Sequence, residues 1–142
     1  VAQTSAENGN LIYEFGLNLG LAFQLQDDYL DAFGDPATFG KQVGGDIIEN
    51  KKTYLYLKAI EFASSDEREQ LLQLFSLSLE DNTQKIEEAK AIFNATGASK
   101  ATQQAIQEYT LKAFETLDKM KIETDKKAIL KAFGEKLMNR NV

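Results

Sequence analysis

An all-α fold, built as a helical bundle, is what this sequence predicts, and three observations predict it. Apolar residues recur at helical spacing along nearly the whole chain. No window alternates with period two for long enough to make a strand. Capping residues and glycines stand at the ends of the periodic segments.

The first helix is predicted from about Ser5 to Phe33, with Ser5 as N-cap and Gly34 as the C-terminal glycine. A loop follows from about Gly34 to Lys52 and holds Pro36, Gly40, Gly44 and Gly45. Thr53 caps a second helix to about Ala63, and Ser65 or Asp66 caps a third to about Leu77. Asp81 caps a fourth that ends at Gly97. A fifth runs from about Ala98 to Met120, and Thr124 or Asp125 opens a sixth to about Met138. In the later helices Ile86, Ala89, Ile92 and Phe93 share one face, as do Ile106, Tyr109, Ala113 and Leu117. Glutamates and lysines fill the other faces, so these helices read as packing stripes with solvated backs. Residues 1–142 read as part of a single domain.

Composition narrows the chemistry. The chain is 43% hydrophobic and 27% charged, which is ordinary for a globular protein. A net charge of −6 argues against nucleic acid as a partner, because phosphate backbones need a basic face. The absence of histidine removes histidine bases, histidine metal ligands and Ser-His-Asp triads. The absence of cysteine removes thiolate chemistry and disulfides. No apolar run reaches membrane-span length and no signal peptide is visible, so the expected location is cytoplasmic.

The first helix differs from the rest. Leu11, Ile12, Phe15, Leu19, Ala22, Phe23, Tyr29, Leu30 and Phe33 cover more than a third of its circumference, and Leu17, Leu21 and Leu25 lie opposite. A helix apolar almost all round is expected to be buried and central. Yet Gln24, Asp27, Asp28 and Asp31 form a polar stripe on it. With Gln24 at 0°, the aspartates fall at roughly 300°, 40° and 340°, and Gly20 makes a notch at about 320°, one turn below.

Three carboxylates on such a helix need an explanation. Two like charges about 4 Å apart repel by roughly 4 kcal/mol at an effective dielectric of 20. Either protons stay bound or cations fill the gap. Aspartates near a helix C-terminus also face the wrong end of the macrodipole. An exposed acidic patch is the plain alternative, and the apolar setting weighs against it. Oxygen donors without histidine or cysteine suit Mg²⁺, Ca²⁺ or Mn²⁺. Mg²⁺ commonly takes one or two carboxylates and completes its shell with water and substrate phosphates. The loop beyond supplies opposite charge, since Lys41, Lys51 and Lys52 are the only basic residues before Tyr54. Flexible ammonium groups beside a carboxylate cluster suit diphosphate oxygens. Neither a Walker loop nor GxGxxG is present.

The stretch FQLQDDYLDAFGDPATFGKQVGGDIIENKKTYL resembles the second aspartate-rich region of trans-isoprenyl (polyprenyl) diphosphate synthases. The family pattern is FQxxDDxxD, then GK, then D-I, then N/G-K-K/P-T. All of it occurs here in order, from Phe23 to Thr53. The preceding YEFGLNLGLA also looks like the family's entry into this helix. The resemblance implies the C-terminal portion of the isoprenoid synthase fold. It implies that Asp27, Asp28 and Asp31 hold Mg²⁺, with Mn²⁺ as the alternative ion, against an allylic prenyl diphosphate. By the same resemblance Gln24 contacts the substrate near its reacting end, and Phe23 lies beside the hydrocarbon. Lys41 and Lys51 bind diphosphate oxygens, and Asp46 binds metal-bound water or braces a lysine. Lys52 is a further substrate contact. Asp27, Asp28, Lys41 and Lys51 are thus the expected catalytic set.

The implied reaction is head-to-tail chain elongation: the allylic C–O bond ionises, the double bond of isopentenyl diphosphate attacks the cation, and a proton leaves. The family's first aspartate-rich motif and its isopentenyl diphosphate site have no counterpart here. With a start at Val1, the expectation is roughly half of an enzyme, inactive alone, whose whole form is a homodimer. The alternatives are a non-catalytic regulatory subunit, against which the retained aspartates and lysines speak, and a terpene cyclase-like enzyme, against which the GK…D…NKKT order speaks.

Overall fold

The structure is a computed structural model that describes residues 2–35, 43–76 and 82–139. Among these residues there are seven helices and no strand. They are α1 (Ala2–Phe33), α2 (Gly45–Ile48), α3 (Tyr54–Phe62), α4 (Ser65–Leu74), α5 (Asn82–Thr96), α6 (Ala98–Lys119) and α7 (Thr124–Met138). No described helix is long and apolar enough to cross a membrane.

Local chemistry sets most of the boundaries. Helix α1 begins earlier than expected, so Ser5 lies inside it rather than at its cap. It ends where expected, with the Gly34 N–H donating to the Leu30 carbonyl at 2.7 Å. Thr53 caps α3, its hydroxyl accepting from the Tyr56 N–H at 3.5 Å. The cap of α4 is Ser64, one residue before the expected Ser65 or Asp66. Ser64 exchanges reciprocal bonds with Glu67, at 3.2 and 3.0 Å, and this capping box fixes the start of the helix there. Gly97, at φ 87°, takes the left-handed conformation that parts α5 from α6. Thr124 opens α7 as expected, with Glu123 at the cap position. The expected cap at Asp81 and the loop residues Pro36 and Gly40 lie outside the described residues.

The contacts fall into two compact units. The first joins Val1–Gln24 to Ala105–Arg140. Its core is Phe15, Leu19, Ala113, Leu117 and Met120, with Phe15 and Phe114 tilted at 6.4 Å between ring centres. The Asn8 side chain donates to the Lys121 carbonyl and accepts from its N–H, both at 3.0 Å, which ties α1 to the link between α6 and α7.

The second unit is built on Leu25–Gln104. Helix α5 packs on α2, α3 and α4. Its core includes Ala32, Ile47, Leu55, Tyr56, Leu71, Phe75, Ala89, Ile92 and Phe93. The expected α5 stripe is thus buried, with Ile86 at its margin. Tyr56, Phe75 and Phe93 make a run of tilted rings at 4.6 and 6.3 Å.

Helix α1 is buried on one side. Phe15, Leu19, Ala22, Leu30 and Ala32 are buried, but Tyr13 is 69% exposed, Ile12 51%, Leu17 49% and Leu21 40%. The apolar pattern foretold a buried helix, and among the described residues only one side of it is covered.

Candidate diphosphate and cation site

Asp27, Asp28 and Asp31 lie on the last two turns of α1, within the second unit. The chain returns to them through Gly44. Its N–H donates to the Asp31 carbonyl, and its φ of 91° is one a side chain rarely allows. A Cβ on Gly44 would also lie 2.5 Å from Ile86 Cδ1, so only glycine fits both demands. Helix α2 starts at once. The Asp46 N–H donates to Asp31 Oδ2 at 2.8 Å, so Asp31 acts as a side-chain acceptor at the start of α2 as well as a member of the stripe.

The turn after α2 brings in the positive charge. Asn50 takes a left-handed φ of 58°, and the Lys51 N–H donates to the Asp46 carbonyl at 2.9 Å. Lys51 Nζ then stands 4.0 Å from Asp28 Oδ1 and 3.9 Å from Asp46 Oδ1. The structure therefore gathers Asp28, Asp31, Asp46 and Lys51. Asp27 is half-buried beside them, and Lys52 is exposed next to Lys51. Phe23, half-buried, and Gln24, exposed, sit about one turn earlier on α1. Nothing lies within 4 Å of a Cβ built on Gly20, so the expected notch is open among the described residues. Lys41 lies outside the described residues.

Asp28 lies among other carboxylates. Burial pushes the Asp28 carboxyl above the usual range, and Asp46, Asp27 and Asp31 push the same way, against the pull of Lys51. Lys51 is 53% exposed, so solvent weakens that pull. This gives a pH prediction. A carboxyl whose folded pKa is raised stabilises the fold while it is protonated, and that contribution is lost as pH rises through the folded pKa. With a chelator present, Asp28→Asn should therefore raise the melting temperature at pH 7. The gain should shrink as pH falls toward the ordinary carboxylate range, where wild-type Asp28 is protonated too. Melting curves from pH 3 to 8 test it, and a lower melting temperature for the variant at pH 7 would reject it.

Among the described residues no group of three acidic side chains is placed to hold an ion by itself. The donor set still fits a hard cation. Carboxylate oxygens on one stripe can supply one or two ligands, leaving the rest to water and phosphate oxygens, which is how Mg²⁺ is usually held.

Lys85 is an exception to the reading that lysines fill the solvated helix faces, for it is 1% exposed. Its Nζ reaches Asn50 Oδ1 and, at 3.5 Å, the Ile48 carbonyl. The signal was present, because Lys85 precedes Ala89 by four residues and Ile92 by seven, on the apolar stripe.

The polyprenyl synthetase family model matches residues 1–96, more than half of the chain and all of the site just described. The chain belongs to this family. Among curated relatives, the short chain isoprenyl diphosphate synthase of Methanothermobacter thermautotrophicus is 34% identical over 127 residues, covering 89% of this chain and 38% of that protein. A solved geranylgeranyl pyrophosphate synthase superposes with a TM-score of 0.84 at 48% identity, over 95% of this chain and 42% of that one. A polyprenyl synthase from Caulobacter crescentus, solved with calcium and isoprenyl diphosphate, gives 0.77 at 30% identity, over 92% and 40%. The chain thus spans about two-fifths of the length of these polyprenyl synthetase relatives. The all-α fold is theirs.

Proposed function

We propose that these residues are the diphosphate-holding part of a prenyl-elongating enzyme. That enzyme condenses isopentenyl diphosphate with an allylic prenyl diphosphate. The observation that carries this reading is the Lys51 ammonium set between Asp28 and Asp46, beside the carboxylate stripe of α1. Membership of a family whose relatives are named as prenyl diphosphate synthases supports it. So does the calcium and isoprenyl diphosphate found in one similar structure.

In this reading Asp27, Asp28 and Asp31 hold Mg²⁺, with Mn²⁺ able to replace it. When bound, the ion supplies Lewis-acid pull on the diphosphate leaving group. Lys51 and Lys41 contact diphosphate oxygens, and Lys52 lies at the edge of the same group. Asp46 braces Lys51. Gln24 is directed to the reacting end of the allylic chain, and Phe23 to its hydrocarbon. The residues act mainly by holding the diphosphate where negative charge grows as the C–O bond breaks.

Inorganic diphosphate is expected to raise the melting temperature of the whole enzyme only when Mg²⁺ is present, because ligand that binds the folded state alone stabilises it by mass action. The measurement is a thermal shift in four arms: buffer, Mg²⁺, diphosphate with a chelator, and diphosphate with Mg²⁺. Equal stabilisation with chelator would end the metal-bridged reading and leave a purely cationic one.

A further inference from the structure

We propose that Lys85 is a positioning residue for the diphosphate site, acting from α5 through Asn50 to fix where Lys51 stands. The inference rests on the function proposed above. Helix α2 is held at both ends by adjacent residues of α5. At its start Ile86 fills the space that a side chain on Gly44 would need. At its end Lys85 reaches the Ile48 carbonyl and Asn50 Oδ1. From the other side, Asp31 on α1 accepts from the Asp46 N–H. The short helix is therefore clamped between two long ones.

The clamp matters because of what leaves it. Asn50 sits at a left-handed φ of 58°, and Lys51 follows directly. The Lys51 N–H is bonded to the Asp46 carbonyl at 2.9 Å, within α2, and its ammonium points to Asp28 and Asp46. A shift at Asn50 turns the Lys51 side chain away from both. A four-residue helix does not persist alone, since a helix this short has too few bonds to offset its nucleation cost. The geometry of Lys51 must come from what grips α2.

A lysine is a costly way to fill a core position. Taking an ammonium out of water needs compensating partners, and an apolar side chain would serve packing alone as well or better. Lys85 is 1% exposed on the same stripe as Ala89, Ile92 and Phe93. What its ammonium adds over a methionine is a directed grip on one carbonyl and one amide oxygen at the base of the Lys51 turn.

The experiment uses the whole enzyme with four variants. Lys85→Met keeps the volume and removes the ammonium. Asn50→Gly removes the acceptor while keeping the left-handed backbone accessible. Asn50→Asp keeps an acceptor in place. Lys51→Ala provides the background for a double-mutant cycle. Lys85→Met and Asn50→Gly are each expected to raise KM for the allylic diphosphate about tenfold, the lower end for a supporting contact behind a ligand-holding residue. KM for isopentenyl diphosphate should stay within about twofold, and Asn50→Asp should match wild type. In the Lys51→Ala background the same changes should matter less than about twofold, because the residue they act through is gone. An unchanged allylic KM in folded Lys85→Met and Asn50→Gly proteins, or a full tenfold effect without Lys51, overturns the proposal. Hydrogen exchange separates this from failure of the functional reading. Even if wild type transfers no prenyl group, the Asn50 and Lys51 amides should exchange faster in Lys85→Met and Asn50→Gly. Wild-type exchange rates there would overturn the clamp itself.

Discussion

Asp27→Ala in the whole enzyme is expected to lower kcat about a thousandfold, the upper range for loss of one group that stabilises developing charge. It should leave KM for isopentenyl diphosphate within about twofold. The split follows from where the residue acts. Asp27 belongs to the carboxylate stripe and its charge already bears on Asp28, raising that carboxyl's pKa. Removing it relieves repulsion on Asp28. On the proposed function, what is lost is an oxygen donor that would hold a cation against the diphosphate, where negative charge grows as the C–O bond opens. A loss confined to the transition state lowers kcat and kcat/KM together. Asp31→Ala serves as the contrast. It also removes the acceptor of the Asp46 N–H, a bond to a charged group worth about 2 kcal/mol. That variant should lose both turnover and several degrees of melting temperature. Near-normal turnover by Asp27→Ala would show that the α1 stripe is not where ionisation occurs.

The features legible in the sequence were those set by local chemistry. Thr53 and Gly97 mark helix ends because a hydroxyl or a missing side chain satisfies a need within one turn. The aspartate stripe was legible for the same reason, since helical geometry fixes the angles between Asp27, Asp28 and Asp31. Features that depend on a partner were not legible. The double role of Asp31 requires the chain to return through Gly44, whose φ no residue pattern reveals. Lys85 carries a charge, and composition alone sends charges to the surface. Its place in the apolar repeat was the better guide, but its partners, Ile48 and Asn50, are more than thirty residues away. The cover of α1 depends on partners in another way. The pattern tells that Ile12, Tyr13, Leu17 and Leu21 want cover, and it cannot tell which residues provide it.

Residues 1–142 alone are expected to show no detectable prenyl transfer and to self-associate. Ionising an allylic diphosphate requires the departing group to be neutralised as it leaves. Here a single stripe approaches from one side, and no three described carboxylates are placed to hold an ion unaided. An ion on that stripe keeps most of its water, which Mg²⁺ releases reluctantly. Two reactants must also be held together. Good positioning is worth about 7–11 kcal/mol of barrier, and a chain two-fifths the length of its relatives leaves the second diphosphate without an assigned place. The exposed side of α1 adds a physical consequence. Ile12, Tyr13, Leu17 and Leu21 repeat at helical spacing and are each 40–69% exposed. Ile129 and Phe133 on α7 are 68% and 58% exposed as well. Exposed apolar surface of this kind favours association over solvation. Two measurements on the purified chain decide the matter. One is product formation from a labelled allylic diphosphate, isopentenyl diphosphate and Mg²⁺. The other is sedimentation as a function of concentration, for wild type and for Leu17→Lys/Leu21→Lys. The charged variant should shift toward monomer while remaining helical. Activity should arise only when the remaining length of a family enzyme is supplied in trans. Clear turnover by a homogeneous preparation of the chain alone would show that one carboxylate stripe and its lysines suffice for the whole reaction.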